Sequence, residues 1–140
     1  MNQVTPYLSF RGNARDAMNF YHSVLGGELR IDTFDTVPAM MSSPQDKNLV
    51  LHSQLMIDDG PILMAADTPT HMPHSPAAGM SVSLSGDDQA EIERIWKAVS
   101  EGATVTMPLA TPPWGGKFGM LVDKFGIPWM LSVIVPALAA

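Results

Sequence analysis

Val4, Pro6, Leu8 and Phe10 alternate with Thr5, Tyr7 and Ser9, the period of two expected of a strand with one face against a core. Arg11-Gly12-Asn13 then turns the chain. Asn13 suits a helix N-cap, Ala14, Ala17, Met18, Tyr21 and Leu25 share one helical face, and Gly26-Gly27 ends the helix. A strand near Glu28 to Phe34 follows, then a loop from Thr36 to Lys47 containing proline and methionine. Leu49 to Ile57 and Ile62 to Ala66 flank Asp58-Asp59-Gly60, which reads as a hairpin turn with Gly60 supplying the positive φ. The next stretch carries Pro69, Pro73 and Pro76 with little periodicity and reads as a linker.

The pattern then starts again. Met80, Val82 and Leu84 alternate with Ser81, Ser83 and Ser85. Asp87 or Asp88 can cap a helix, Glu91 stands in capping-box position, and Ile92, Ile95, Trp96 and Val99 form its buried stripe. Glu93 and Lys97 are expected to pair on its outer face. Gly102 ends this helix, and strands are expected at Ala103 to Met107, Phe118 to Val122 and Ile127 to Val135. The order β-α-β-β-β thus occurs twice, with Phe20-Tyr21 matching Ile95-Trp96 and Gly27 matching Gly102. Two such sheets, each with a helix on one face, can pair their free faces into a cup. The expected fold is therefore α+β, two βαβββ modules forming a cup-shaped incomplete barrel. One domain spans 1–140, with a first module at about 1–67, a linker at 68–78 and a second module at about 79–135.

Composition narrows the function. The 140 residues are 46% hydrophobic and 16% charged, enough for one real core. Eight Lys plus Arg against 14 Asp plus Glu give a net charge of −6 and a pI near 4.9, the wrong sign for nucleic acid. The absence of cysteine excludes a disulfide scaffold, a thiolate zinc site and a cysteine nucleophile, and is compatible with the cytoplasmic location expected here. The N-terminus lacks a basic region followed by an apolar stretch, so it does not read as a signal peptide. Ile127 to Ala140 is apolar but too short for a bilayer span and is broken by Pro128 and Pro136, so no membrane partner is expected.

PYLSFRGNARDAMNFYHSVLGGEL near the start and WGGKFGMLVDKFGIPWML near the end closely resemble the PhnB-like proteins of the vicinal oxygen chelate superfamily. That superfamily includes glyoxalase I, bleomycin-resistance proteins and extradiol dioxygenases. The most specific marks are Pro6-Tyr7-Leu8 with Gly12-Asn13, Leu25-Gly26-Gly27-Glu28, and Phe118-Gly119 with Asp123-Lys124-Phe125-Gly126 and Pro128-Trp129. The resemblance implies a homodimer with exchanged halves. Relatives often carry a demethylubiquinone methyltransferase label, yet no glycine-rich strand-to-helix turn for a cosubstrate is present.

Metal-dependent members of the superfamily take His, Glu or Gln ligands from inward positions on the first and last strands of each half. The strand parity places Thr5, Met64, Ser81 and Met130 there, and hydroxyls and thioethers hold hard or borderline divalent ions poorly. No metal and no other cofactor is therefore expected at the usual site. His52 and Gln54 fall on the cup-facing parity of their strand, opposite Leu51, Leu55 and Ile57. An imidazole there could serve as a base, a ligand anchor or a satisfied structural group. Tyr7 and Ser83 share the cup-facing parity, Met64 and Met130 would line the cup, and Trp114 and Phe118 could close its mouth by stacking or plug it. His71 and His74 read as a solvated loop, His22 as a surface residue and Asp58-Asp59 as turn chemistry. The favoured function is a small-molecule pocket protein, binding an apolar or aromatic metabolite without the usual metal and with no catalytic residue assignable. The alternative is a metal-dependent lyase or dioxygenase-type enzyme with a non-standard site around His52 and Gln54.

Overall fold

The computed structural model describes residues 2–113 and 115–135. It divides into two compact units, Met1–Pro76 and Ala77–Ala140. In the first, β1 (Tyr7–Phe10), α1 (Ala14–Leu25), β2 (Glu28–Thr33), β3 (Val50–Ile57) and β4 (Gly60–Asp67) follow one another along the chain. The sheet order is β1-β4-β3-β2, with β1 parallel to β4 and the other pairs antiparallel. In the second unit, β5 (Val82–Gly86), α2 (Gln89–Ser100), β6 (Thr104–Ala110), β7 (Lys117–Val122) and β8 (Pro128–Val133) repeat this arrangement in the order β5-β8-β7-β6. The duplicated β-α-β-β-β pattern is thus two open four-stranded sheets, each accompanied by one helix.

Each sheet buries one face under its helix. Ala14, Ala17, Met18, Tyr21 and Val24 of α1 are buried together with Leu8, Phe10, Leu55, Leu63 and Ala65. Small side chains at Ala14 and Ala17 let the helix approach closely, while each fully buried Leu contributes about 1.5–3 kcal/mol. In the second unit Ile92, Ile95 and Val99 bury against Leu121, Trp129, Leu131 and Val133. Trp96 is only half-buried, and its ring lies over Gly119, where a Cβ would come within 2.8 Å of it.

A buried carboxylate organises each unit. Asp67, at the end of β4, accepts Gly12 N–H at 2.8 Å and Ala14 N–H at 3.0 Å through Oδ1, and Val50 N–H at 2.9 Å through Oδ2. It therefore does the work expected of Asn13, whose side chain makes no cap. Asp123 binds the tight turn after β7, accepting Phe125 N–H at 2.8 Å, Ile127 N–H at 3.0 Å and the Trp129 indole at 2.9 Å. The role of Asp67 was not visible in local sequence, because its partners come from distant segments, whereas the partners of Asp123 all lie in the turn and strand that directly follow it.

Other local expectations need correction. The hairpin between β3 and β4 places positive φ (54°) on Asp58, with Gly60 already paired to Ile57 in the ladder; aspartate tolerates the left-handed region better than most residues. A bulge interrupts the β2–β3 register, with Asp32 opposite His52 but Thr33 opposite Val50, so Leu51 is skipped. Val50 is consequently buried in place of Leu51, which is half-buried. Glu93 pairs with Lys117 at 2.5 Å rather than with Lys97, since β7 brings that ammonium to a partly buried position beside α2. Asp88 does accept Glu91 N–H at 3.1 Å, but the Glu91 carboxylate turns to Arg94 instead of completing the box.

Candidate functional site

The bulge at Leu51 matters because it leaves the rest of β3 in register. From Ser53 onward Ser53 and Leu55 point to the core, and His52, Gln54 and Met56 take the opposite face. Across the strands Tyr7 lies opposite Met64, Met64 opposite Gln54 and Gln54 opposite Arg30, making one row on the face away from α1. In the neighbouring row Ser9 lies opposite Ala66 and His52 opposite Asp32. The small Ala66 leaves room over β4 for the Tyr7 phenol to reach His52.

A directed hydrogen-bond chain runs over this face. Tyr7 Oη is 3.0 Å from His52 Nδ1, His52 Nε2 is 3.4 Å from Gln54 Oε1, and Gln54 Nε2 donates to Met56 Sδ at 3.3 Å. An amide oxygen only accepts, so the contact to Gln54 requires the tautomer with the proton on His52 Nε2, in which Nδ1 accepts the hydrogen bond that the Tyr7 phenol donates. Tyr7 and His52 rings are 5.7 Å apart and tilted by 31°. Partial burial pushes the Tyr7 phenol above its ordinary pKa, which keeps it a donor throughout the neutral range. Arg30 and Asp32 form an exposed ion pair at 3.3 Å on the flanking strand. The face thus offers an imidazole and an amide held by partners, with the thioethers of Met56 and Met64 between and beside them.

The second sheet has the same geometry and different chemistry. Ser83 lies opposite Met130, Met130 opposite Met120 and Met120 opposite Met107, while Ser85, Ser132, Phe118 and Ala110 form the adjacent row. Met130 matches Met64, Ser83 matches Tyr7, Met120 matches Gln54, and Phe118 stands where His52 stands in the first sheet. Ser83 is exposed, and Phe118 borders two recesses of about 270 and 200 Å³. Seven of the eight residues singled out from sequence therefore fall on the open faces of their own sheets, Tyr7, His52, Gln54 and Met64 on one, Ser83, Phe118 and Met130 on the other. Trp114 lies outside the described residues.

Strand register also shifts the expected ligand positions. Tyr7 and Ser83, rather than Thr5 and Ser81, lie opposite Met64 and Met130, and Thr5 instead donates to the Pro61 carbonyl at 3.3 Å. Among the described residues no three His, Cys, Asp or Glu side chains are grouped so as to hold a metal ion. His74 is bonded to the Thr68 hydroxyl at 3.1 Å, and His22 Nε2 to the Gly27 carbonyl at 3.0 Å. Sequence reasoning missed the Arg30–Asp32 pair beside His52, for which the alternation of β2 would have been the signal.

A family model described as 3-demethylubiquinone-9 3-methyltransferase matches residues 2–132. The chain belongs to that family. This PhnB-like membership agrees with a solved structure from Pseudomonas aeruginosa, protein PA1353, which is 38% identical with a TM-score of 0.86 over 94% of this chain and 97% of that one. A PhnB protein from Bacillus cereus, whose name includes a putative 3-demethylubiquinone-9 3-methyltransferase, is 27% identical, with a TM-score of 0.76 over 94% and 98% of the two chains. Protein YjdN of Escherichia coli is 27% identical over 94% of this chain and 95% of its own. The fold is that of the glyoxalase/bleomycin resistance protein/dioxygenase superfamily, shared with a Burkholderia phytofirmans member at 11% identity and a TM-score of 0.59, over 91% of this chain and 94% of that one.

The methyltransferase description of this PhnB-like family can be set against the geometry. A glycine-bearing strand-to-helix turn does exist at Gly12, where φ is 87°. The N–H groups of Gly12 and Ala14 in this turn are bonded to Asp67. No helix among the described residues is long and apolar enough to cross a membrane.

Proposed function

We propose that this PhnB-like chain is a small-molecule binding protein whose ligand rests on the open face of the first sheet. The observation that carries this is the Tyr7–His52–Gln54–Met56 chain, an oriented polar line on a face that α1 does not cover. A sheet face meant only for solvent gains little from fixing an imidazole between a phenol and an amide, whereas a ligand needs such pre-set groups for orientation. Met56 and Met64 supply adaptable apolar contact, which favours a flat apolar or aromatic metabolite bearing one or two polar atoms. Ser83, Phe118 and Met130 are candidate ligand contacts on the second sheet's own open face. A homodimer is part of this proposal, supported by the exposed apolar side chains Met80, Val105, Ile134 and Val135.

The protein acts in this account without the superfamily's metal. Untagged protein incubated with a metabolite extract and examined by native mass spectrometry should retain a small organic molecule and take up no stoichiometric nickel, manganese, iron or zinc when these are added back. Stoichiometric uptake of one of these ions, lost on replacing His52 or Gln54, would overturn it in favour of a metal-dependent lyase or dioxygenase.

A further inference from the structure

The open face of the second sheet carries a feature that small-molecule binding does not require. Met107 lies opposite Met120 across β6 and β7, and Met120 lies opposite Met130 across β7 and β8. Residues paired in this way point to the same side of a sheet, so three thioethers from three consecutive strands stand in one row. Neighbouring strands are about 4.8 Å apart, and an unbranched methionine has enough rotatable bonds for the outer two side chains to lean over the middle one. Met107 is 47% exposed and Met120 and Met130 are half-buried, so the row is open to an incoming ion.

Thioethers are soft, uncharged donors. A divalent ion placed among them would lose its water without gaining a counter-charge, whereas a soft monovalent ion loses less hydration and bonds sulfur strongly. Cysteine, the usual competitor for such an ion, does not occur in the chain. We propose that Met107, Met120 and Met130 form a binding site for Cu(I). The site is centred on Met120 of β7, and only Met130, on the last strand, stands at a position from which the superfamily's usual ligands come. It shares only Met130 with the small-molecule proposal, and its test reads metal uptake rather than retention of an organic ligand.

The test is an anaerobic titration of the full, untagged chain with Cu(I) in competition with bicinchoninate, repeated with Ag(I) as a redox-inert probe. Wild-type protein should take up a single equivalent of either ion. Met120→Leu, which keeps the volume and apolar character, should bind at least about tenfold more weakly. The double variant Met107→Leu with Met130→Leu should lose the site as well, which keeps the test decisive if Met120→Leu folds poorly. A control carrying Met40→Leu, Met72→Leu and Met80→Leu, exposed methionines that are not members of the row, should bind as the wild type does. Methionine methyl resonances of the wild type should shift with Ag(I) at residues 107, 120 and 130. Uptake unaffected by both row variants, or shifts confined to other methionines, would overturn the proposal.

Discussion

The two sheets share a frame and differ in what they present. Both bury one face under a helix, join their first and last strands in parallel and place a methionine at the matching point of the last strand, Met64 in one and Met130 in the other. On the open face of the first, the neighbouring strand contributes His52 and Gln54; on that of the second, the same positions hold Phe118 and Met120. The difference teaches that the repeat constrains the core and leaves the open face free to diverge. Polar groups gathered on the first copy, where Tyr7 can reach His52, while the matching Ser83 in the second copy is too short to span a strand.

The largest effects should come from the carboxylates that hold each frame. Asp67→Ala strands the N–H groups of Gly12, Ala14 and Val50, and should destabilise the first module by about 3–5 kcal/mol in urea unfolding, since several charge-assisted bonds are lost at once. Asp123→Ala should weaken the second module comparably through Phe125, Ile127 and the Trp129 indole. If either variant unfolded like the wild type, the equivalence of the two frames would fail.

Exchanging the divergent residues sharpens the comparison next. Phe118→His puts an imidazole beside Met120 and Ser132 with no fixed phenol or amide, and should cost about 1–2 kcal/mol by stranding a half-buried polar group. A neutral or stabilising outcome would mean that the second face tolerates polarity as well as the first does.

Much of this was legible in the sequence, and the limits are physical. Alternation located the strands, and Leu8 and Phe10 fell on the buried parity expected of them. The open-face placement of Tyr7, His52, Gln54 and Met64 followed from the same parity. What alternation could not show was any contact between distant segments: Asp67 reaching α1, Lys117 reaching Glu93, Tyr7 reaching His52. Nor could it show the bulge at Leu51, because one skipped residue leaves no mark in a run of Leu49-Val50-Leu51. Here the apolar run hid which residue faced the core.

A smaller effect should appear at alkaline pH. Burial raises the Tyr7 phenol above its unfolded value, so the folded protein binds the proton more tightly than the unfolded chain. That contribution is fully present below the ordinary phenol pKa and is lost as pH rises through the raised one. Tyr7→Phe should therefore flatten the fall in stability above about pH 10, measured by thermal melts across the alkaline range. An unchanged profile would place the phenol in solvent, unlike its position beside His52.

The central claim is that the polar face of the first sheet anchors a ligand through His52. Its most direct test is calorimetric affinity, for wild type and for His52→Ala, of whichever metabolite the wild type retains, with melting temperature recorded for both. Losing the anchored partner should weaken binding by about 1–3 kcal/mol, roughly 5- to 150-fold, while the melting temperature stays close to that of the wild type because His52 lies on the open face. Unchanged affinity together with a clearly lowered melting temperature would show that His52 serves the fold, and would contradict the account.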